Sequence, residues 1–317
     1  MARSEMAETE GRSIAVVIAT YNRAATIERC IDSVLAQRRP ADQIIVVDDG
    51  STDDTIEILA RYGDRIEIVR TTNGGAALAR NRGVTSTSST WIAFLDSDDF
   101  WFPDHLERIE SAITATNGEA NVYFDDTIRP AEGRPDASLF ALASFTCVEP
   151  WHLAEDATDW VVRPRQPLML QSSVIRRRSW DGVGGLWPVL RSRHDTHLFL
   201  RLGIAQPMCA VAGAGCQMTD DDHSGNRQMD VMGPTTRAYW HHTVELYRDV
   251  LNRHQHDLTD DAQATLKHRI ARGYLTLARH DARAAPISSI RSISRAVRLD
   301  LVGSLRAASR RISGPRS

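Results

Sequence analysis

The sequence predicts an α/β protein: a mainly parallel, Rossmann-like sheet flanked by helices, with a helical C-terminal extension. Three observations predict it. Short apolar runs recur at 13–20, 43–50, 65–71 and 91–96, and segments with apolar residues at helical spacing separate them. The resulting order, β-α-β-α-β-α-β, is that of a parallel sheet built from crossover units. The strand ends carry polar clusters: Thr20-Tyr21-Asn22, Asp48-Asp49-Gly50 and Asp96-Ser97-Asp98-Asp99. In such sheets the ligand crevice lies beyond the carboxyl ends of the strands, so all three clusters are expected on one edge.

The elements follow in order. SIAVVIAT (13–20) is rich in β-branched residues and reads as a buried strand, and TIERCIDSVLAQ (26–37) has apolar residues at 27, 31, 34 and 35, which is helical spacing. QIIVVDDG (43–50) is a second buried strand. STDDTIEILARYG (51–63) opens with helix-start residues and closes on Gly63. RIEIVRT (65–71) alternates as a strand. Gly74 and Gly75 mark a loop before AALARNRGV, a helix expected to stop at Gly83. WIAFLD (91–96) is the fourth strand, and a helix starts near Pro103. Beyond 120, VYFDD (122–126) reads as a strand, 127–165 has no clear period, and MLQSSVIRRRSW (169–180) reads as a strand leading to a turn or short helix. GVGGLW (182–187) is a Gly-rich turn, HDTHLFLRLG (194–203) a helix, CAVAG (209–213) a strand, and the chain from 235 onward helical. This divides the chain into a disordered tail (1–12), a sheet domain (13–230) and a helical region (231–317).

Composition narrows the function classes. The chain has 317 residues, a formal net charge of −3, 25% charged and 42% hydrophobic residues. That is an ordinary globular profile with no global electrostatic case for nucleic acid. The four cysteines, Cys30, Cys147, Cys209 and Cys216, form no CxxC pair, which argues against a zinc site and for a reducing compartment. The N-terminus lacks an apolar signal-peptide core and no run approaches transmembrane length. A cytoplasmic protein is expected, with peripheral contact at the inner face of the membrane as an open option.

The end of WIAFLDSDD carries the most chemistry. In a strand, side chains at i and i+2 share a face about 7 Å apart, so Asp96 and Asp98 would project together, with Asp99 beside them. Uncompensated carboxylates that close are costly. A divalent cation meeting a phosphorylated ligand would relieve them. The plainer reading is an acidic turn with an aspartate capping the next helix. The shared edge favours the cation.

These segments together resemble family 2 glycosyltransferases of the GT-A fold. The resemblance rests on VVIATYNRAATIERCIDSVLAQ, IIVVDDGSTDDT, NGGAALARNRG, FLDSDD and GGLWPVLRSRHDTHLFLRLG, in the family's order over roughly residues 13–225. It implies inverting transfer of a sugar from a nucleotide diphosphate sugar, a UDP-sugar first among candidates, to an acceptor hydroxyl on a sugar or lipid-linked acceptor. By position it also implies the site. Ala19 and Tyr21 would line the base pocket, Asp49 would bond the base, and Asp48 would support the turn. Arg80 would approach the nucleotide. Asp96 and Asp98 match the DxD motif that engages ribose and a Mg²⁺ or Mn²⁺ ion, and Asp99 lies nearer the sugar. Asp195 matches the catalytic base. His223 matches a loop position near the diphosphate and is a candidate metal ligand. Gln171, Ser172 and His194 lie on the acceptor side. The chain departs from the family at His194, where many members carry glutamate.

Each assignment has a plainer alternative: Asp48 and Asp49 as turn residues, Arg80 as a solvated helix residue, His223 as an ordinary loop histidine, Gln171 and Ser172 as a polar strand edge, Asp195 as a carboxylate favoured by a helix dipole. Other functions fit less well. A nucleotidyltransferase would need a Gly-rich basic loop that ATYNRAAT lacks. Against a binding module that has lost transfer activity stand Asp96, Asp98 and Asp195, all three retained. A processive membrane synthase would carry transmembrane helices and a QxxRW-like motif. The C-terminal stretch PISSIRSISRAVRLDLVGSLRAASRRI sets Ile287, Ile290, Ile293, Val297, Leu301 and Leu305 at helical spacing among arginines. That pattern suits a membrane-surface helix, a helix docked on its own domain, or a homodimer contact.

Overall fold

The computed structural model describes residues 11–130, 136–219, 233–282 and 284–300. His223, Leu301, Leu305 and most of the N-terminal tail lie outside the described residues.

The first half folds as the sequence reads. In chain order it comprises β1 (Ile14–Thr20), α1 (Ile27–Leu35), β2 (Gln43–Asp48), α2 (Thr55–Ala60), β3 (Glu67–Arg70), α3 (Ala76–Thr85) and β4 (Trp91–Asp96). The strands lie side by side in the order β3-β2-β1-β4, all parallel. Alternate residues of each strand feed two separate cores. Val17, Ile45, Val47 and Phe94 pack on one face, and Val16, Ile18, Val46 and Leu95 on the other. Both faces are covered, which is why these strands read as continuous apolar runs.

Two glycines behave differently from expectation. α3 continues through Gly83 to Thr85. A Cβ at Gly83 would stand 2.4 Å from Val17 Cγ1 and 3.1 Å from Val47 Cγ2, so this glycine brings the helix close to the sheet and does not end it. Gly83→Ala should gain about 1 kcal/mol of helix propensity and lose about 1–3 kcal/mol to overpacking. A net fall in stability on urea denaturation is expected, and an equal or higher midpoint would contradict this packing. α2 ends at Ala60, and Gly63 sits three residues later with φ +56° at the start of a short 3-10 helix, Gly63–Arg65.

The second half is mixed. It runs β5 (Phe100–Trp101), α4 (His105–Ala115), β6 (Val122–Arg129), β7 (Ala137–Ser138), α5 (Leu139–Leu142), β8 (Trp151–Ala154), α6 (Thr158–Val162), β9 (Ser173–Arg176), α7 (Arg177–Val183), α8 (His194–Gly203) and β10 (Met208–Gln217). β9 enters the sheet antiparallel between β4 and β6, and β10 runs parallel to β6. β5 and β8 pair antiparallel with β10, and β7 with β6. Between 127 and 165 the elements have two to five residues after β6 ends, too few for a period to register in the sequence.

Three helices follow: α9 (Arg237–His254), α10 (Asp260–Asp281) and α11 (Pro286–Leu299). Thr236 and Thr259 cap the first two, each hydroxyl accepting a backbone N–H three residues on at 3.2 Å. Among the described residues no helix is long and apolar enough to cross a membrane.

Candidate active site

The parallel register brings the polar strand ends together. Thr20 lies beside Asp48, Ala19 beside Asp96, and Asp48 beside Arg70. Ala19 and Tyr21 are half-buried at this edge. Asp48 is fully buried, and its Oδ1 accepts the Ser51 N–H at 3.1 Å. That bond holds the turn after β2. Asp49 takes the N–H groups of Gly74 (2.9 Å) and Gly75 (2.7 Å), so its carboxylate also fixes the glycine loop that leads into α3.

Asp96, Asp98 and Asp99 converge. One carboxylate oxygen from each lies within 4.8 Å of the others. Asp96 and Asp98 are half-buried and Asp99 is buried. Burial first, then the charges of Asp96 and Asp98, push the Asp99 carboxyl well above the usual carboxylate range. Its oxygens are held by Gln171 Nε2 at 3.1 Å and the Thr219 N–H at 3.0 Å. Three oxygen donors with an uncompensated buried carboxylate among them fit Mg²⁺ or Mn²⁺, which favour oxygen ligands and leave room for phosphate and water.

Arginines supply the local positive charge. Arg80, buried on α3, pairs with Asp96 through Nη2 and donates from Nη1 to His194 Nε2 at 2.8 Å. It is not a solvated helix residue. Arg23 Nη2 lies 3.9 Å from Asp98 Oδ2, and Arg29 Nη2 donates to the Asp98 carbonyl at 3.0 Å.

The first turn of α8 completes the arrangement. His194 is buried, and burial followed by the Arg80 charge pushes its pKa down to about 4. The ring is therefore neutral near pH 7. With Nε2 accepting from Arg80, its proton is assigned to Nδ1, which has no hydrogen-bond partner among the described residues. Asp195 is half-buried and accepts the Thr196 N–H at 2.7 Å. Asp96, Arg80 and His194 thus form a bonded chain from the acidic cluster to the helix that carries Asp195.

α9 fixes the start of that helix. Arg193, in the left-handed region at φ +60°, donates to Thr243 Oγ1 at 2.9 Å and Tyr247 Oη at 2.8 Å, and lies over the Tyr239 and Tyr247 rings. His197 Nε2 meets Asp249 Oδ2 at 2.9 Å. Replacing Arg193 with alanine should let Asp195 shift while leaving the acidic strand-end edge intact. A misplacement of about 1 Å can cost about 10²-fold in rate. On the expectation that Asp195 is the catalytic base, transfer should fall toward that scale with nucleotide affinity unchanged, and equal losses in both would contradict a positioning role.

Of the residues expected here, the structure brings Ala19, Tyr21, Asp48, Asp49, Arg80, Asp96, Asp98, Asp99, Gln171 and His194 to one edge or into contact with it, and Asp195 follows His194 in the first turn of α8. Ser172 is not on an open face. It is fully buried, and its hydroxyl accepts from Thr127 Oγ1 at 2.9 Å. The sequence reading missed Arg23, Arg29, Arg193 and Thr219. For Arg23 a signal existed in its place just after the first strand. For the other three the partners are too distant in sequence.

A curled, mixed sheet flanked by helices, with acidic residues at the carboxyl edge of its parallel half, is the GT-A glycosyltransferase fold. Residues 15–134 match the family model described as Glycosyl transferase family 2. TuaG of Bacillus subtilis (strain 168), named as a teichuronic acid biosynthesis glycosyltransferase, is 42% identical over 99 residues, 30% of this chain and 39% of its own length. The chain spans between 29% and 39% of the length of the first three curated relatives it matches. Among solved structures, S. aureus TarS 1–349 aligns at TM-score 0.63 with 16% identity, over 90% of this chain and 80% of that one. The mannosyltransferase PcManGT from Pyrobaculum calidifontis, in complex with GDP-Man and Mn²⁺, aligns at TM-score 0.54 with 14% identity, over 98% and 93%. The structural likenesses establish the fold.

Proposed function

We propose that the protein is an inverting glycosyltransferase that moves a sugar from a nucleotide diphosphate sugar, with a UDP-sugar as first candidate, to a hydroxyl of a sugar or lipid-linked acceptor. The observation that supports the reading is the bonded chain Asp96–Arg80–His194, which joins the acidic cluster to the first turn of α8, where the half-buried Asp195 follows His194. TarS has been solved with UDP-GlcNAc, which supports the donor class, and the name of TuaG supports a place in polysaccharide, glycolipid or glycoconjugate synthesis.

Inversion needs attack from the face opposite the leaving diphosphate. Asp195 takes the acceptor proton as general base. The base acts from the first turn of α8. Ala19 and Tyr21 border the space for the nucleotide base. Asp49 stiffens the loop beside it. Arg80 and Arg23 bring positive charge to the edge where the diphosphate would lie. Asp96, Asp98 and Asp99 are the residues that would hold Mg²⁺ or Mn²⁺. When bound, the ion offsets the negative charge that develops on the leaving diphosphate. His194, neutral and bonded to Arg80, leaves the arginine charge for the acidic cluster, where a glutamate would compete for it.

The test is a panel of nucleotide sugars assayed for hydrolysis and binding, with and without chelator. Turnover of one nucleotide sugar that vanishes in chelator and returns with Mn²⁺ or Mg²⁺ is expected. Full turnover in chelator would remove the metal role of the aspartates, and binding without turnover of any donor, with acceptors supplied, would leave a binding module.

A further inference from the structure

α11 docks on its own domain through small side chains and Leu299 at its end, and turns its isoleucines and Val297 outward. Its buried residues are Ser289, Ser292 and Ala296. Ser289 Oγ donates to the Ala278 carbonyl of α10 at 2.9 Å, and Asp300, just past the helix, pairs with His268 Nδ1 at 2.5 Å. The outward side holds Ile287 and Ile290, each 67% exposed, Ile293 at 45% and Val297 at 37%. These are four of the seven large hydrophobics exposed among the described residues, so they form a patch and not the usual scatter. Arg291, Arg295 and Arg298 are exposed beside them, with the Arg295 guanidinium also lying 5.6 Å over the Tyr274 ring of α10. At about 100° per residue the four apolar side chains fall on one half of the outward arc and the three arginines on the other.

We propose that this outward face of α11 is a docking surface for an anionic lipid membrane. An apolar stripe next to a basic one, on a helix docked along one side against α10, matches the interfacial region of a bilayer. There the isoleucines enter the acyl boundary and the arginines meet the headgroup charge. The charge pattern decides between lipid and a second copy of the chain. Residues 286–299 include no acid, so pairing this face with itself would give its arginines no carboxylate to meet. The sequence beyond Asp300 continues with Arg306, Arg310 and Arg311 and no acidic residue, which extends the preference for an anionic surface. The proposal is independent of the transfer reaction. It follows from a face that self-docking leaves open.

The test is co-sedimentation of the full chain with vesicles of phosphatidylcholine alone or mixed with about 30% phosphatidylglycerol, at low and high salt. Each basic residue near such a surface is worth about 5-fold in partitioning. R291Q/R298Q should therefore weaken binding to the anionic vesicles by roughly 25-fold. I287S/I290S should weaken binding to them while keeping the salt dependence. Both variants leave Ser289, Ser292 and Ala296 in place, and an unchanged circular dichroism spectrum checks that the helix survives. Three results would overturn the proposal: no binding of the intact chain to anionic vesicles at low salt, binding to both vesicle types alike, or variants that bind as the intact chain does. Sedimentation velocity adds a fourth. A dimer that I287S/I290S converts to monomer, without any vesicle binding by the intact chain, would assign the face to self-association.

Discussion

Asp195→Asn should abolish sugar transfer while nucleotide binding stays within about twofold of the parent. The base acts on the acceptor hydroxyl, and the amide cannot take its proton. Loss of general-base help costs about 10²–10⁴ in rate. The substitution is nearly isosteric, and the bond that the Thr196 N–H donates to Oδ1 survives in asparagine through its carbonyl oxygen. The fold and the Asp96–Arg80–His194 chain should therefore persist. Titration calorimetry with UDP, run beside a transfer assay, separates the two effects. Transfer at the parent rate would remove Asp195 from the chemistry. A parallel loss of nucleotide affinity would make it a donor-binding residue instead.

How much of this was legible in the sequence depends on how local the signal is. The four parallel strands were legible because burial on both faces makes each an unbroken apolar run, as in Ile14–Thr20 and Trp91–Asp96. The acidic cluster was legible because it ends such a run. Partnerships across the chain were not. Gln171 and Asp99 are 72 positions apart, Thr219 and Asp99 120, and Arg29 and Thr219 190. Only the folded sheet brings them together, and no pattern in either segment announces the other. The antiparallel entry of β9 is of the same kind. Its four residues, Ser173–Arg176, read as a strand but do not say where in the sheet it sits. Gly83 misled for a different reason. A glycine late in a helical pattern reads as a stop, whereas here its missing Cβ serves the contact with Val17. The amphipathic pattern of α11 was visible, but which face would be covered was not. Serine and alanine at 289, 292 and 296 gave no sign that they, rather than the isoleucines, would face the core.

Asp99→Asn should separate the stability of the metal-free protein from its response to metal. In the fold, burial and the neighbouring carboxylates raise the pKa of Asp99 well above the ordinary value, so the folded protein keeps this proton to higher pH than the unfolded chain does. Stability is then fully present below the unfolded carboxylate pKa of about 3.9, falls as pH rises from there toward the folded pKa, and stays lowered above it. Asparagine carries no charge and escapes that loss. It also keeps the contacts: its Oδ1 can accept the Thr219 N–H, and its amide can donate to Gln171 once the glutamine amide turns over. In chelator at neutral pH the variant should be at least as stable as the parent, and its advantage should shrink as pH falls toward 4. With Mn²⁺ the order should reverse. An ion at about 100 times its dissociation constant stabilises the folded parent by about 2.7 kcal/mol, and the variant, lacking one anionic oxygen donor, should gain far less. Thermal melts in chelator and in Mn²⁺, across pH 4 to 8, check both halves. A variant less stable than the parent in chelator at neutral pH would show that Asp99 is ionised and well compensated by its neighbours. A parent that does not respond to metal would show that the three carboxylates do not form an ion site.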